Sequence, residues 1–144
     1  MSGKQHTTNY VDTFIQVAED CPASTGLAPP ERAGKPTVAG LQYEMIVARP
    51  YRHTSDDVVF ATSAAGRALG KGGSETERRQ AREVFFSKGQ ACLRASPLAK
   101  QYGWGIHADA KGRVALHAVD SADYRRLASD PAITQVRAMR SKRA

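Results

Sequence analysis

His107 and His117 flank the short stretch Asp109-Ala-Lys-Gly112. Two imidazoles with a carboxylate between them are a donor set that can ligate a metal ion. Cys92 lies between Lys88 and Arg94, and nearby cations lower a thiol pKa and favour the reactive thiolate. A cysteine nucleophile also needs a positioned base, for which His107 or His53 would serve. Asp56 and Asp57 form an adjacent pair of carboxylates, the raw material of acid–base chemistry. His6-Thr-Thr-Asn-Tyr10 packs five hydrogen-bonding side chains into five positions. The catalytic candidates on these grounds are Cys92, His107 and Asp57, and the ligand-binding candidates are His6, Asn9, Lys88 and Arg94. Gly66-Arg-Ala-Leu-Gly70-Lys71-Gly72 is not a phosphate loop. It has three residues between the glycines where that motif has four, and glycine follows the lysine in place of Ser or Thr.

The elements that must position these residues are readable in part. Val11–Val17 alternates with apolar groups on both faces, as a strand covered on both sides does. Residues 18–36 hold four prolines and two glycines and read as a long loop. Thr37 caps a helix with Val38, Leu41 and Met45 at helical spacing, stopped by Pro50. Thr54 with Asp57 forms a capping box, which explains the two carboxylates as helix N-terminal residues. The helix that follows carries Val58, Ala61, Ala65, Ala68 and Leu69 on one face. A strand over Asp57–Thr62 is the competing assignment, since Val-Val-Phe favours strands. Ser74 and Glu77 make a second capping box, with Val84 and Phe85 on the apolar side and Gly89 at the end. Ser96-Pro97 starts a short helix closed by Gly103.

Trp104–Val119 reads as a hairpin. Asp109-Ala-Lys-Gly112 suits a type I turn followed by a left-handed glycine. That turn sets Asp109 opposite Arg113, Ala108 opposite Val114, Ile106 opposite Leu116 and Trp104 opposite Ala118, with all six of the latter apolar and on one face. His107 and His117 fall diagonally on the other face. The Asp109–Arg113 pair occupies the carboxylate, so no metal site and no cofactor are expected. Trp104 is expected to be largely buried, with room for its indole left by Gly103 and Gly105. Ser121 caps a helix bearing Tyr124 and Leu127, and Ile133–Met139 reads as a last strand. The fold class expected is α+β: a single domain over 1–144, with an antiparallel sheet that includes the 104–119 hairpin and is packed by helices on one face.

His6-Thr-Thr-Asn-Tyr10, Thr13-Phe-Ile-Gln-Val-Ala-Glu-Asp-Cys-Pro22, Thr54-Ser-Asp-Asp-Val58, Phe86-Ser-Lys-Gly-Gln90, Tyr102-Gly-Trp-Gly-Ile-His107 and Met139-Arg-Ser-Lys142 occur in this order. On these words the chain resembles a family of small uncharacterised proteins catalogued as a domain of unknown function. The resemblance covers essentially the whole chain. It implies a stand-alone domain and no particular activity.

Charge narrows the function classes. The net charge is +7 over 144 residues. Residues 1–70 carry 6 Lys/Arg against 7 Asp/Glu, whereas residues 71–144 carry 15 against 7. The whole excess sits in the second half, which points to a polyanionic partner. The basic end 137–144 supplies Arg137, Arg140, Lys142 and Arg143 as polyanion-binding candidates, with no acid after Asp130. No apolar run approaches the ~18 residues of a membrane span, so no membrane partner is expected. Two cysteines build neither a disulfide scaffold nor a lone zinc site, and the start Met1-Ser-Gly-Lys-Gln-His6 lacks an apolar signal core, so secretion is not expected and a cytoplasmic location is. The leading reading is a binding module for nucleic acid or another polyanion rather than an enzyme. The alternatives are a small-molecule-binding domain or enzyme with a polar His/Asp/Lys/Cys pocket, and a protein-interaction domain. Oligomeric state is not legible.

Overall fold

The computed structural model describes residues 5–141, the side chain of Lys71 apart. The chain runs β1 (Thr13–Gln16), α1 (Val38–Ala48), α2 (Ser55–Ala61), α3 (Ala64–Leu69), α4 (Glu75–Phe85), α5 (Pro97–Lys100), β2 (Trp104–Ala108), β3 (Val114–Ala118), α6 (Ala122–Ala128) and β4 (Thr134–Arg137). Single 3₁₀ turns at Gly70–Gly72 and Leu93–Ala95 complete it. The class is α+β. The four strands form one sheet in the order β3-β2-β1-β4.

The hairpin has the register its turn dictates, from Trp104 opposite Ala118 to Ala108 opposite Val114. Gly112 takes φ +78°, and Asp109 accepts the backbone N–H groups of Lys111 and Arg113, each at 2.9 Å. One expectation fails: the sheet is mixed. β1 pairs antiparallel with β2 but parallel with β4. The physical reason is α6. After β3 the chain crosses the sheet through this helix instead of turning back, so β4 arrives running in the same direction as β3 and β1.

α6 also corrects the expectation of helices on one face. Thr13, Ile15, Ile106, Ala108 and Val114 point to a core shared with Ile46 of α1, Val58 of α2 and Leu98 and Ala99 of α5. Phe14 points the other way and packs on Tyr124 and Leu127 of α6, with the Phe14 and Tyr124 rings edge to face at 4.9 Å. The sheet is therefore covered on both sides, as the two-faced apolar pattern of β1 requires.

Three helical faces differ from expectation. In α1 the inward residues are Ala39, Gln42 and Ile46, while Val38 is 44% exposed. This helix is apolar nearly all round, so composition picks no face and packing does. Gln42 is drawn inward by hydrogen bonding, its Oε1 accepting from Ser96 Oγ at 2.6 Å. The residues between 54 and 62 are helical, not extended, and the Thr54–Asp57 capping box forms. That helix stops at Thr62, whose hydroxyl bonds back to Val58 O at 2.8 Å, and Ser63 caps a new helix by accepting from Gly66 N. Hydroxyls bonding their own backbone break the expected continuous face, leaving Ala61, Ala65 and Ala68 exposed. In α4 the Ser74–Glu77 box forms. Val84, however, is 73% exposed, and Phe86, three residues before Gly89, caps the end.

Trp104 is half-buried rather than buried. Its indole lies against Tyr43, with ring centroids 5.5 Å apart, and donates from Nε1 to Leu27 O at 2.8 Å, stapling part of the 18–36 loop to the sheet. Room for it comes from Gly26, where a Cβ would lie 2.8 Å from the ring. Gly105 serves the opposite face: a Cβ there would sit 2.5 Å from Phe14 Cζ and 2.6 Å from Tyr124 Cε2. Gly105→Ala therefore overpacks the α6 side and destabilises the fold by about 1–3 kcal/mol. Urea titration reads this as a lowered midpoint, and an unshifted midpoint would contradict the packing described.

Candidate functional site

The polar words near residues 6–10 and 54–58 meet each other. Asp56 is 8% exposed, and its carboxylate accepts from Thr7 Oγ1 at 2.7 Å, Thr8 N at 2.6 Å and Thr8 Oγ1 at 2.8 Å. Asp56 N donates in return to Asn9 Oδ1 at 2.8 Å, and Thr8 Oγ1 shares a bond with Ser55 Oγ. Three donors satisfy the buried carboxylate, as a buried charge requires. The N-terminal segment is thereby clasped to the start of α2, and His6 N donates to Phe86 O to tie it to the end of α4. Asn9 is thus engaged within the clasp. His6 and Lys88 are exposed where the segment crosses the end of α4.

Asp57 turns away from the clasp. Burial pushes its carboxyl up, but the Thr54 backbone N–H and the Arg82 guanidinium, 2.7 Å from Oδ1, outweigh this and hold it below the usual carboxylate range. Cys92 is half-buried, with Sγ 3.5 Å from Tyr10 Oη. Burial raises the Tyr10 phenol, and the Cys92 hydrogen bond adds to this while Arg94 opposes it. His107 lies on the other face of the sheet. Asp57 thus pairs with Arg82, Cys92 with Tyr10 and His107 with Tyr51, so the three catalytic candidates have three different partners.

The arginines gather more closely. Arg94, Arg137 and Arg140 line one concavity of about 360 Å³ with Glu19, Ala138 and Met139. Two chain segments build it. Met139 N donates to Arg94 O at 2.9 Å, and Arg94 Nε donates to Arg137 O at 2.7 Å. β4 ends at Arg137, so strand alternation does not carry on to separate Arg140 from the others. Lys142 and Arg143 lie outside the described residues.

The histidine pair has a partner with no sequence signal. Residues 51–53 run along the β3 edge, with Tyr51 N donating to Val114 O at 2.9 Å and Val114 N to His53 O at 2.8 Å. Tyr51 takes φ +58°, uncommon for a bulky residue. Its side chain then reaches the α6 face, where Oη lies 2.8 Å from His107 Nδ1 and 3.0 Å from His117 Nε2. Asp109 stays with Arg113, 3.3 Å from Nε, as the turn predicts. Nothing at position 51 announces this contact, because it spans 56 and 66 residues of chain. A phenol has one O–H, so it donates to one ring and accepts from the other. Both imidazoles then carry their proton on the nitrogen of the same name, Nε2 in both or Nδ1 in both.

Burial lowers both histidines. For His107, the nearby Asp109, Asp12 and Asp130 oppose this and Arg126 adds to it. For His117, Asp123 opposes it and His107 and Arg126 add to it. Burial raises the Tyr51 phenol, with Asp109 and Asp123 adding and Arg126 opposing. The folded chain thus binds protons less readily here than the unfolded chain, whose histidines titrate near ~6.5. Stability from this cluster is fully present above that value and is lost as pH falls through it toward the lower folded values. Denaturant midpoints should drop between pH 7.5 and pH 5.5, and drop less in the His117→Gln variant. A wild-type midpoint constant over that interval would contradict this.

No helix of the described residues is long and apolar enough to cross a membrane. No curated protein and no solved structure matches the chain. A family model matches residues 5–144, the span that holds the Asp56 clasp, the hairpin and the arginine concavity. The chain belongs to that family, described as a family of unknown function (DUF6157).

Proposed function

We propose that the protein is a binding module whose partner is nucleic acid, held by its phosphates at Arg94, Arg137 and Arg140. The observation that carries this reading is the convergence of three arginines, from two distant stretches of chain, on one concavity of about 360 Å³. Phosphate contacts from arginine are charge-assisted and geometrically specific. Arg94 is braced in advance by its bond to Arg137 O, so less side-chain freedom is lost on binding. Glu19 in the lining opposes an anion without cancelling three guanidinium groups. The uneven charge of the two halves supports the same direction, and Lys142 and Arg143 follow immediately in sequence. The different partners of Asp57, Cys92 and His107 lend the enzyme alternative less support.

Backbone binding is tolerant of sequence and falls steeply with salt. Fluorescence anisotropy with mixed-sequence DNA and RNA, at about 50 and 200 mM salt, tests it. Arg137→Gln with Arg140→Gln keeps the Arg94 brace, which uses the Arg137 carbonyl. The pair of changes should weaken binding similarly across sequences and lower the salt slope by about 0.9 for each duplex phosphate no longer neutralised. Absence of binding at the lower salt, or a slope untouched by the double change, would overturn the reading.

A further inference from the structure

We propose that Tyr51, His107 and His117 form a binding site for a divalent first-row transition metal ion, Cu²⁺ or Zn²⁺, with two imidazole nitrogens and the phenolate oxygen as protein ligands. Metal–nitrogen bonds of ~2.0–2.1 Å place neighbouring ligand atoms ~2.9 Å apart at right angles and ~3.3 Å apart in a tetrahedron. Tyr51 Oη stands 2.8 Å from His107 Nδ1 and 3.0 Å from His117 Nε2, so the phenol oxygen already holds ligand-to-ligand distances to both imidazoles, whose ring centroids are 6.4 Å apart.

The donors are also held by rigid elements. His107 belongs to β2 and His117 to β3, diagonal in a paired register. Tyr51 is fixed by backbone bonding of residues 51–53 to Val114 and by its φ of +58°. Strained backbone at a bulky residue persists where the surroundings over-determine it and is concentrated at functional sites. The donor chemistry selects the metal: imidazoles suit zinc, copper and nickel, whereas calcium and magnesium take oxygen ligands. Asp109, Asp12 and Asp130 act electrostatically on His107 and Asp123 on His117, against Arg126. Asp109 pairs with Arg113 and Asp123 with Arg126.

Binding balances simply. The metal displaces the phenol proton to solvent, and the ring that donated to Oη moves its proton to its far nitrogen, so two neutral imidazoles and one phenolate coordinate the ion. Water fills the remaining positions. The site lies away from the arginine concavity and stands or falls independently of nucleic-acid binding.

The test is titration of the full chain at pH 7.5 with CuSO₄ and with ZnCl₂, followed by calorimetry and, for copper, by visible absorption. Wild type should bind one equivalent and show a phenolate-to-copper charge-transfer band. Tyr51→Phe should lose the band. His107→Gln and His117→Gln should each weaken binding at least about tenfold, in line with the cost of disturbing metal ligation. His6→Gln, a histidine outside the cluster, should leave the affinity unchanged, and circular dichroism confirms the fold of each variant. The proposal is overturned by a wild type without the band, by wild-type affinity in His107→Gln and His117→Gln, or by loss of binding in His6→Gln.

Discussion

Asp109 accepts the backbone N–H groups of Lys111 and Arg113 and pairs with the Arg113 guanidinium, and this small turn decides which residues of β2 and β3 share a face. A slip of one residue would turn Ile106, Ala108 and Val114 out of the main core and drive His107 and His117 into it. Every other layer is built on that choice. α1, α2 and α5 cover the apolar face, α6 covers the face with Gly105, and residues 51–53 seal part of the β3 edge. An uncovered edge strand invites pairing with other chains, so the backbone bonds at Val114 protect the sheet while delivering Tyr51 to the histidines.

Local signals are legible in the sequence, and long-range ones are not. The hairpin register follows from a four-residue turn and its flanking pattern. The caps at Thr37, Thr54, Ser74, Ser96 and Ser121 all form, because each needs only a hydroxyl and a backbone N–H two or three residues on. The inward face of α1 is hidden, since Ala39, Gln42 and Ile46 are no more apolar as a set than Val38, Leu41 and Met45. Their selection depends on Ser96, 54 residues away. The direction of β4 depends on whether α6 crosses the sheet, which no pattern within β4 records. Tyr51 gives no sign because its role exists only once the β3 edge is built.

The candidate residues divide in the same way. His6 to Tyr10 and Thr54 to Val58 stand out as polar words, and the structure joins them, but through a buried carboxylate clasp in which Asn9 is a partner of the α2 backbone. A shared polar pocket would need Asn9 beside His107, which lies across the sheet. Arg94 is far from Arg137 and Arg140 in sequence, and strand alternation would send the last two to opposite faces. They come together because the chain leaves β4 at Arg137. Lone candidates thus gain or lose meaning from what the fold sets beside them.

The hairpin register brings Tyr51, His107 and His117 to one shared hydrogen-bonded point. Imidazole nitrogen chemical shifts from long-range proton–nitrogen correlation spectra of the metal-free protein at pH 7.5 test it directly, because they report the tautomer of each ring. With the single phenolic proton bridging Nδ1 of His107 and Nε2 of His117, both rings must be protonated on the nitrogen of the same name. Matching tautomers, perturbed in both rings by Tyr51→Phe, are the predicted result. One ring protonated on Nδ1 and the other on Nε2, or rings indifferent to the Tyr51 change, would contradict it.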